Sequence, residues 1–169
     1  MELYLIESYR DAFPELKGRE LTDELIRRIL KQSGVSCPQI RRTPEGKPYI
    51  EGEEVCFSVS HTADTFALAV DDAPLGLDIQ YRRDAKASRI GSKYFTEQEQ
   101  EMVREGGLDT FFRIWTRKEA YGKYLGTGLL DVLDRVPVYG RSDVSFLEID
   151  FGDGLYGCVC CGRGPGKGR

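Results

Sequence analysis

The sequence predicts an α+β fold built from two similar halves. The chain has 169 residues, of which 40% are apolar and 11% aromatic, enough for one domain or two small halves sharing a core. A strand, a helix and a strand pair in the first half are followed by a strand, helices and a strand set in the second. We therefore predict an N-terminal half at 1–74, a C-terminal half at 75–161 and a disordered Gly-rich tail at 162–169.

The first half is predicted to contain one helix and three strands. Alternating apolar residues predict the strands, at residues 2–8, 55–60 and 65–71. An apolar stripe of helical period predicts the helix at residues 20–33. Residues 41–51 are interrupted by Pro and Gly and predict a turn or loop. Ser60 and His61 then fall at a strand end, where functional side chains are often presented.

The second half alternates strands with two longer helices. Short apolar runs bounded by Gly, Asp or Ser predict strands at residues 75–80, 135–139, 144–149 and 155–161. The capping-box pattern at residues 96–99 opens a helix that we expect to end near Gly106. Thr110 is the predicted N-cap of a last helix within the stretch 111–128, and Gly126 is the predicted residue at which this helix stops.

The last predicted helix carries two stripes of side chains. The apolar stripe, expected to face the core, consists of Phe111, Ile114, Tyr121 and Leu125. Trp115, Glu119 and Lys123 lie four residues apart on an adjacent stripe. A carboxylate and an ammonium on one stripe occur on solvated helix faces and also in sites for a metal and a phosphate, so this pattern alone leaves both readings open.

Asp78 interrupts an apolar strand, where an unpaired carboxylate would be costly. Asp78 and Gln80 are two residues apart and so point to the same face. Asp78 can cap a nearby turn, or it can bind a hard cation, because Mg²⁺ takes one or two carboxylates together with water and phosphate oxygens.

Composition narrows the function classes. A net charge of −4 argues against a general nucleic-acid binder, and no apolar run approaches the ~20 residues of a membrane helix. Five cysteines and a single histidine do not match a structural zinc pattern, so we expect reduced thiols in a cytoplasmic protein. Residues 81–93 nevertheless carry five basic residues and one acidic residue, which favours an acidic partner or a phosphate over a merely solvated face.

Four short motifs in this order resemble the 4′-phosphopantetheinyl transferase superfamily. They are Gly46-Lys47-Pro48, Ser60-His61, Gly76-x-Asp78-x-Gln80 and Trp115-x-x-Lys118-Glu119-x-x-x-Lys123. Each motif is weak alone, whereas four in order at suitable separations are a specific signal. The chain resembles the monomeric, surfactin-synthetase-activating type, although it is short for that type and has little sequence before Arg19.

The resemblance implies transfer of the 4′-phosphopantetheine arm of coenzyme A to a serine of an acyl or peptidyl carrier protein, with release of 3′,5′-adenosine diphosphate (3′,5′-ADP). It also implies a fold whose two halves are related by a pseudo-twofold axis, with the site in the cleft between them. Mg²⁺ would be bound by Asp78, Gln80 and Glu119. Glu119 would also accept the proton of the carrier serine, and Lys123 and Lys118 would neutralise phosphate oxygens.

The same resemblance assigns the nucleotide end of coenzyme A to Arg19, Lys47, Ser60 and His61. Gln80 stands where the fuller motif has a third carboxylate, which should lower the affinity for metal. If residues 81–93 form a helix, their basic side chains share a face that would dock an acidic carrier protein. The docking residues are expected to be Arg82, Arg83, Lys86 and Arg89.

Three other functions compete with this prediction. The chain could bind coenzyme A or a carrier protein without transferring the arm, because of Gln80 and the missing N-terminal stretch. It could be a different Mg²⁺-dependent enzyme that acts on a nucleotide or pyrophosphate. It could also be a scaffold in which Asp78 and Glu119 have structural roles.

Overall fold

The computed structural model describes residues 1–83, 87–127 and 135–163. Its strands are β1 (Glu2–Glu7), β2 (Ile40–Arg42), β3 (Pro48–Ile50), β4 (Cys56–Thr62), β5 (Thr65–Asp71), β6 (Leu75–Tyr81), β7 (Val144–Asp150) and β8 (Leu155–Gly162). Its helices are α1 (Gly18–Gln32), α2 (Ala87–Tyr94) and α3 (Glu97–Leu125), with a 3-10 turn at Tyr9–Asp11. The predicted mixture of helices and strands is confirmed.

Two antiparallel sheets form the centre of the molecule. The first sheet has the strand order β1-β5-β4, the second has the order β6-β8-β7, and β2 and β3 form a separate hairpin. One apolar core lies between α1 and the first sheet, a second between the two sheets, and a third between the second sheet and the helices α2 and α3. The strands of the first sheet thus come from residues before 74, and those of the second sheet from residues after it. The pseudo-twofold relation and the boundary at residue 74 stay predictions.

A row of hydroxyl groups joins the two sheets. Alternate side chains of β4 accept hydrogen bonds from alternate backbone amides of β6: Ser58 from Leu77 at 2.9 Å, Ser60 from Ile79 at 3.2 Å and Thr62 from Tyr81 at 3.4 Å. These side chains are buried, so each hydroxyl replaces a strand partner for an amide that would otherwise lack one. The row fixes the register of β6 against β4.

The helix α3 lies directly on β6. A Cβ atom on Gly76 would come within 2.0 Å of the Ala120 carbonyl oxygen and 2.3 Å of the Tyr124 amide nitrogen. Glycine therefore permits the helix backbone to touch the strand. This contact brings the last turns of α3 against the strand that carries Asp78.

The predicted helix near residue 96 is confirmed with its cap, because Thr96 and Glu99 form the capping box. The predicted break is also found: Gly107 has φ +70° and ψ −154° inside the helical element. Residues beyond Gly107 are already helical, so the prediction of Thr110 as an N-cap is wrong. The stop at Gly126 is confirmed by its left-handed φ of +72°.

Four further sequence predictions are corrected. Residues 41–51 contain the hairpin β2–β3 instead of a loop, because Ile50 is buried and anchors a short antiparallel pair. Residues 135–139 form no strand. Leu125 is 44% exposed and does not belong to the core stripe. Gly162 belongs to β8 instead of the tail, of which residues 164–169 lie outside the described residues.

The basic stretch after β6 is also organised differently from the prediction. The amide of Arg82 donates to the Gly154 carbonyl at 2.8 Å, which continues the strand pairing, and the described helix begins at Ala87. Arg82 therefore does not share a helical face with Arg89.

Within the described residues, no helix is long and apolar enough to cross a membrane.

Candidate active site

Asp78 lies in the middle of β6 and is 2% exposed. Its Oδ1 atom accepts hydrogen bonds from the Ser60 hydroxyl at 2.8 Å and from the Lys123 ammonium at 2.9 Å. Its Oδ2 atom is buried and has no hydrogen-bond partner within the described residues. A buried carboxylate with one unsatisfied oxygen is a suitable ligand for a cation.

Glu119 lies on α3, one turn before Lys123, and is also buried. Burial and, next, the negative charge of Asp78 raise the pKa of its carboxyl group to about 8, although Lys123 opposes the shift. The two carboxylates therefore interact unfavourably when both are ionised. A second positive charge between them would relieve that repulsion.

A cavity of about 310 Å³ opens beside these groups and is lined by Lys47, Ser58, Glu119, Lys123 and neighbouring residues. The Lys123 side chain is 30% exposed, so its ammonium reaches the cavity while it contacts Asp78. The Lys47 ammonium is directed at two backbone carbonyl oxygens, of Lys123 at 2.6 Å and of Leu75 at 3.5 Å. Burial lowers its pKa.

A larger cavity of about 720 Å³ adjoins the first, since Gly46, Pro48 and Val59 line both. Its wall carries five basic side chains, those of Arg10, Lys17, Arg19, Arg42 and His61. Apolar side chains of α1 and β5 complete the lining. The structure therefore brings the predicted residues Arg19 and His61 to one cavity, and an anion is the ligand that its charge favours.

His61 lies within β4, which extends beyond the predicted strand end. Its ring packs near the Tyr9 ring, with the two centroids 6.2 Å apart. Although part of the ring reaches solvent, burial of the remainder lowers the pKa of His61, and Lys123 and Arg10 lower it further. These three effects all disfavour the charged form of the ring.

Arg42 is a candidate site residue that the sequence prediction missed. One of its terminal nitrogens pairs with Asp23 of α1, and the other, Nη1, is buried without a partner within the described residues. A buried guanidinium nitrogen without an acceptor can bind a phosphate oxygen. The available signal was the basic pair of Arg41 and Arg42 before the Gly-Lys-Pro motif, but a segment predicted as loop gives no side-chain direction.

Two predicted ligand residues lie elsewhere. Lys118 is fully buried, 2.9 Å from the Glu99 carboxylate, and donates to the Val136 carbonyl oxygen at 2.6 Å. It is enclosed by protein and is not part of either cavity, which corrects its assignment to phosphate. Ser60 is buried between the sheets and contacts Asp78, so it holds the carboxylate instead of lining the larger cavity.

Gln80 lies two residues beyond Asp78 on the same face of β6, and its Oε1 accepts a hydrogen bond from Arg83 at 3.3 Å. Within residues 1–83, 87–127 and 135–163, no three His, Cys, Asp or Glu side chains form a metal-binding group. Two carboxylates, one of them with a free buried oxygen, still fit Mg²⁺, which commonly keeps several waters and takes phosphate oxygens.

The predicted docking residues do not form one surface helix. Arg82 forms an ion pair with Asp109 at 2.8 Å, and Arg83 contacts Gln80. Arg89 is exposed on α2. Lys86 lies outside the described residues.

Trp115 stacks with Phe111, their ring centroids 6.2 Å apart, and has a packing role.

Comparison with known proteins gives named relatives. The chain is 25% identical over 168 residues to a 4′-phosphopantetheinyl transferase gsp of Aneurinibacillus migulanus, covering 90% of this chain and 69% of the relative. It is 34% identical over 146 residues to an L-aminoadipate-semialdehyde dehydrogenase-phosphopantetheinyl transferase of Xenopus laevis, covering 75% and 48% respectively. With a 4′-phosphopantetheinyl transferase of Bacillus subtilis it shares 30% identity over 118 residues, covering 67% and 52%.

The chain thus spans about half to two thirds of the length of these relatives. A family profile, that of the 4′-phosphopantetheinyl transferase superfamily, matches residues 74–163. The matched region contains Asp78, Glu119 and Lys123, the groups that meet beside the smaller cavity. The chain belongs to the 4′-phosphopantetheinyl transferase superfamily.

Proposed function

We propose that this protein transfers the 4′-phosphopantetheine arm of coenzyme A to a serine of an acyl or peptidyl carrier protein and releases 3′,5′-ADP. The observation that carries the proposal is the meeting of Asp78, Glu119 and Lys123 beside a small cavity, which adjoins a larger cavity with a basic wall. Membership of the superfamily supports it. The relatives named above are phosphopantetheinyl transferases, and the proposal extends that activity to this chain.

The reaction requires a proton acceptor for the carrier serine. The serine oxygen forms a bond to the phosphorus at the pantetheine end of the pyrophosphate, and the bond from that phosphorus to the oxygen retained by 3′,5′-ADP breaks. Glu119 is the proposed acceptor of the serine proton, since it is a carboxylate that lines the smaller cavity beside Lys123. Lys123 would face the negative charge that develops on the phosphate oxygens.

Mg²⁺ is the proposed metal, held by Asp78 and Glu119, with Gln80 as a neutral third ligand. The buried Oδ2 atom of Asp78, which has no partner within the described residues, supports this assignment, and so does the repulsion between the two carboxylates, which a cation would relieve. When bound, Mg²⁺ would stabilise the charge on the pyrophosphate oxygens. Ser60 and Lys123 orient Asp78 for this role.

The nucleotide end of coenzyme A is proposed to occupy the larger cavity. Arg19, Arg42 and His61 would bind its 3′-phosphate, and the unpartnered Nη1 of Arg42 is the group whose hydrogen bonding would improve most. Replacing Arg42 by methionine should weaken binding of 3′,5′-ADP by about 10-fold or more, because a charge-assisted hydrogen bond is lost.

A carrier protein with an acidic helix is the proposed acceptor, docking on the basic side chains that follow β6. Arg82, Arg83 and Arg89 remain the proposed contacts, together with Lys86 from outside the described residues. Rim charges mainly affect encounter. The charge reversal Arg89→Glu should therefore raise KM for the carrier and leave affinity for coenzyme A unchanged, and an equal effect on both would argue against docking here. The protein is proposed to act as a cytoplasmic monomer.

Mass spectrometry of the carrier protein tests the proposal. The protein is incubated with Mg²⁺, coenzyme A and apo carrier proteins from fatty acid, polyketide and non-ribosomal peptide synthesis, and we expect one of them to gain the phosphopantetheine arm. The variant Glu119→Gln should abolish that gain. No mass gain with any carrier class, combined with tight coenzyme A binding, would favour the non-transferring binding protein instead.

A further inference from the structure

The turn of the β2–β3 hairpin holds Lys47 in a fixed position. The Thr43 amide donates to the Lys47 carbonyl oxygen at 2.9 Å, and the Lys47 amide donates to the Thr43 hydroxyl at 3.2 Å. The Gly46 amide closes the turn on the Thr43 carbonyl oxygen at 2.9 Å. Buried Ile50 anchors the following strand in the core, so the base of the Lys47 side chain has little freedom.

From this fixed base the Lys47 side chain crosses to the end of α3. Its ammonium lies 2.6 Å from the carbonyl oxygen of Lys123, the shorter of its two contacts. The last carbonyls of a helix have no partner inside the helix. Gly126 closes back on the Gly122 carbonyl oxygen, and Lys47 supplies a donor for the next carbonyl along the chain. Its positive charge also suits the negative end of the helix dipole.

The residue whose backbone Lys47 holds is the residue whose side chain contacts Asp78. The Lys123 ammonium is 2.9 Å from Asp78 Oδ1, and the second acceptor of Lys47 is the carbonyl of Leu75, at the start of the strand that carries Asp78. Lys47 thereby connects the hairpin to both elements of the reaction centre. Its neighbours Gly46 and Pro48 line the nucleotide cavity as well as the smaller one.

We propose that Lys47 is a positioning residue that fixes the last turn of α3 and so keeps Lys123 on Asp78, instead of binding a phosphate of coenzyme A itself. This inference rests on the proposed function for its kinetic consequences. It revises the role that the sequence resemblance assigns to the Gly-Lys-Pro motif. The ligand contact is thereby left to Arg19, Arg42 and His61.

Two variants separate the two roles of Lys47. For Lys47→Met, we expect kcat to fall about 10- to 100-fold, as for other residues that orient a reactive group, with KM for coenzyme A and Kd for 3′,5′-ADP within about 2-fold of wild type. Lys47→Arg should recover most of kcat, because a guanidinium can donate to the same carbonyl. A loss of 3′,5′-ADP affinity of about 10-fold or more with unchanged kcat would assign Lys47 to phosphate and overturn the proposal.

A double-mutant cycle tests whether Lys47 acts through Lys123. In a Lys123→Met background the Lys47→Met change should cost less than about 3-fold in kcat, because the group that it positions is already gone. Full multiplicative losses would mean that the two residues act independently, which would overturn the proposal. Lys31→Met, on the exposed face of α1, is the matched control and should change neither kcat nor the Kd for 3′,5′-ADP.

Hydrogen exchange provides a readout that needs no transfer. In Lys47→Met the amides of Leu125 and Gly126 should exchange about 10-fold faster than in wild type, while those in the middle of α3 stay unchanged. Unchanged exchange at the helix end would overturn the positioning role. If the methionine variant does not fold, Lys47→Gln is used. Absence of transfer by wild type would count against the proposed function alone, since exchange and 3′,5′-ADP binding still decide the role of Lys47.

Discussion

The Lys123 ammonium lies 2.9 Å from the Asp78 carboxylate and joins the last turn of α3 to the middle of β6. The contact balances one of the two buried carboxylates of the site. Burial and, next, the charge of Asp78 raise the pKa of the other carboxylate, Glu119, and the nearby lysine opposes that shift only in part. The resting site is therefore short of one or more positive charges, and binding of a divalent cation should stabilise the fold.

Replacing Asp78 by asparagine should remove that stabilisation. In wild type, Mg²⁺ at about ten times its Kd should add roughly 1.4 kcal/mol to the free energy of unfolding, which corresponds to a few degrees in Tm. Asp78→Asn should show no Mg²⁺-dependent shift and should lose about 100-fold or more in transfer rate. Asp143→Asn, which changes an exposed carboxylate paired with Arg141, is the control. A retained Mg²⁺ shift in Asp78→Asn would exclude Asp78 as a ligand.

The raised pKa of Glu119 predicts a pH dependence of stability in the absence of Mg²⁺. The folded protein holds this proton up to a pH of about 8, whereas the ordinary value is 4.5. Between these values the unfolded chain binds fewer protons, so this group lowers the free energy of unfolding as pH rises. Glu119→Gln should therefore become increasingly stable relative to wild type from pH 4.5 to 8.

Chemical denaturation across that pH range, in a chelating buffer, measures the difference between the two proteins. Mg²⁺ binds the ionised carboxylate, so its stabilising effect on wild type should grow with pH and be largest above pH 8. Parallel stability curves for wild type and Glu119→Gln would show that Glu119 has an ordinary pKa in the folded protein.

Local sequence patterns were sufficient to select the three residues of the proposed reaction centre. Asp78 is conspicuous as a carboxylate within an apolar strand, and Glu119 and Lys123 share a helix face because they are four residues apart. The structure places all three together. By contrast, Lys118 and Glu119 are adjacent in sequence but point in different directions. The buried partner of Lys118 is Glu99, which lies before the helix break at Gly107. A motif alone does not reveal which neighbour faces the cavity.

The missed elements depend on contacts between distant segments. The hairpin β2–β3 has three residues in each strand and is anchored by the burial of Ile50. The burial of Ile50 cannot be predicted from a stretch that is rich in Pro and Gly. Residues 136–138 resemble a strand, but Glu99 accepts from the Val138 amide at 3.0 Å and Lys118 donates to the Val136 carbonyl. Side chains of α3 thus take the place of a neighbouring strand.

The Lys118–Glu99 pair gives a third prediction. Lys118→Met should lower the free energy of unfolding by about 3–5 kcal/mol, because it leaves Glu99 charged, buried and without its cation. The affinity for 3′,5′-ADP of the protein that remains folded should be unchanged, as measured by calorimetry at low temperature. Lys123→Met is the comparison, since it should reduce transfer with a smaller effect on stability. A specific loss of ligand affinity in Lys118→Met would restore the phosphate role.

The packing of Gly76 against α3 gives the last prediction. The Cβ of Gly76→Ala would meet backbone atoms of Ala120 and Tyr124 at 2.0 and 2.3 Å, and backbone atoms cannot move aside singly. The helix must shift away from β6, which costs about 1–3 kcal/mol of stability. The same shift would separate Lys123 and Glu119 from Asp78, so we expect transfer to fall more than the fraction of folded protein does.

A matched glycine in α2 provides the control for this prediction. A Cβ on Gly91 would find its nearest atoms at 3.7 Å, in the Phe95 ring, which is an ordinary contact. Gly91→Ala should therefore stabilise the protein by roughly 0.5–1 kcal/mol through the higher helix propensity of alanine. Thermal unfolding and Mg²⁺ affinity are measured for both variants. Equal stability and equal Mg²⁺ affinity for Gly76→Ala and wild type would show that the contact between β6 and α3 does not set the geometry of the site, because a displaced helix must change the distance between the two carboxylates.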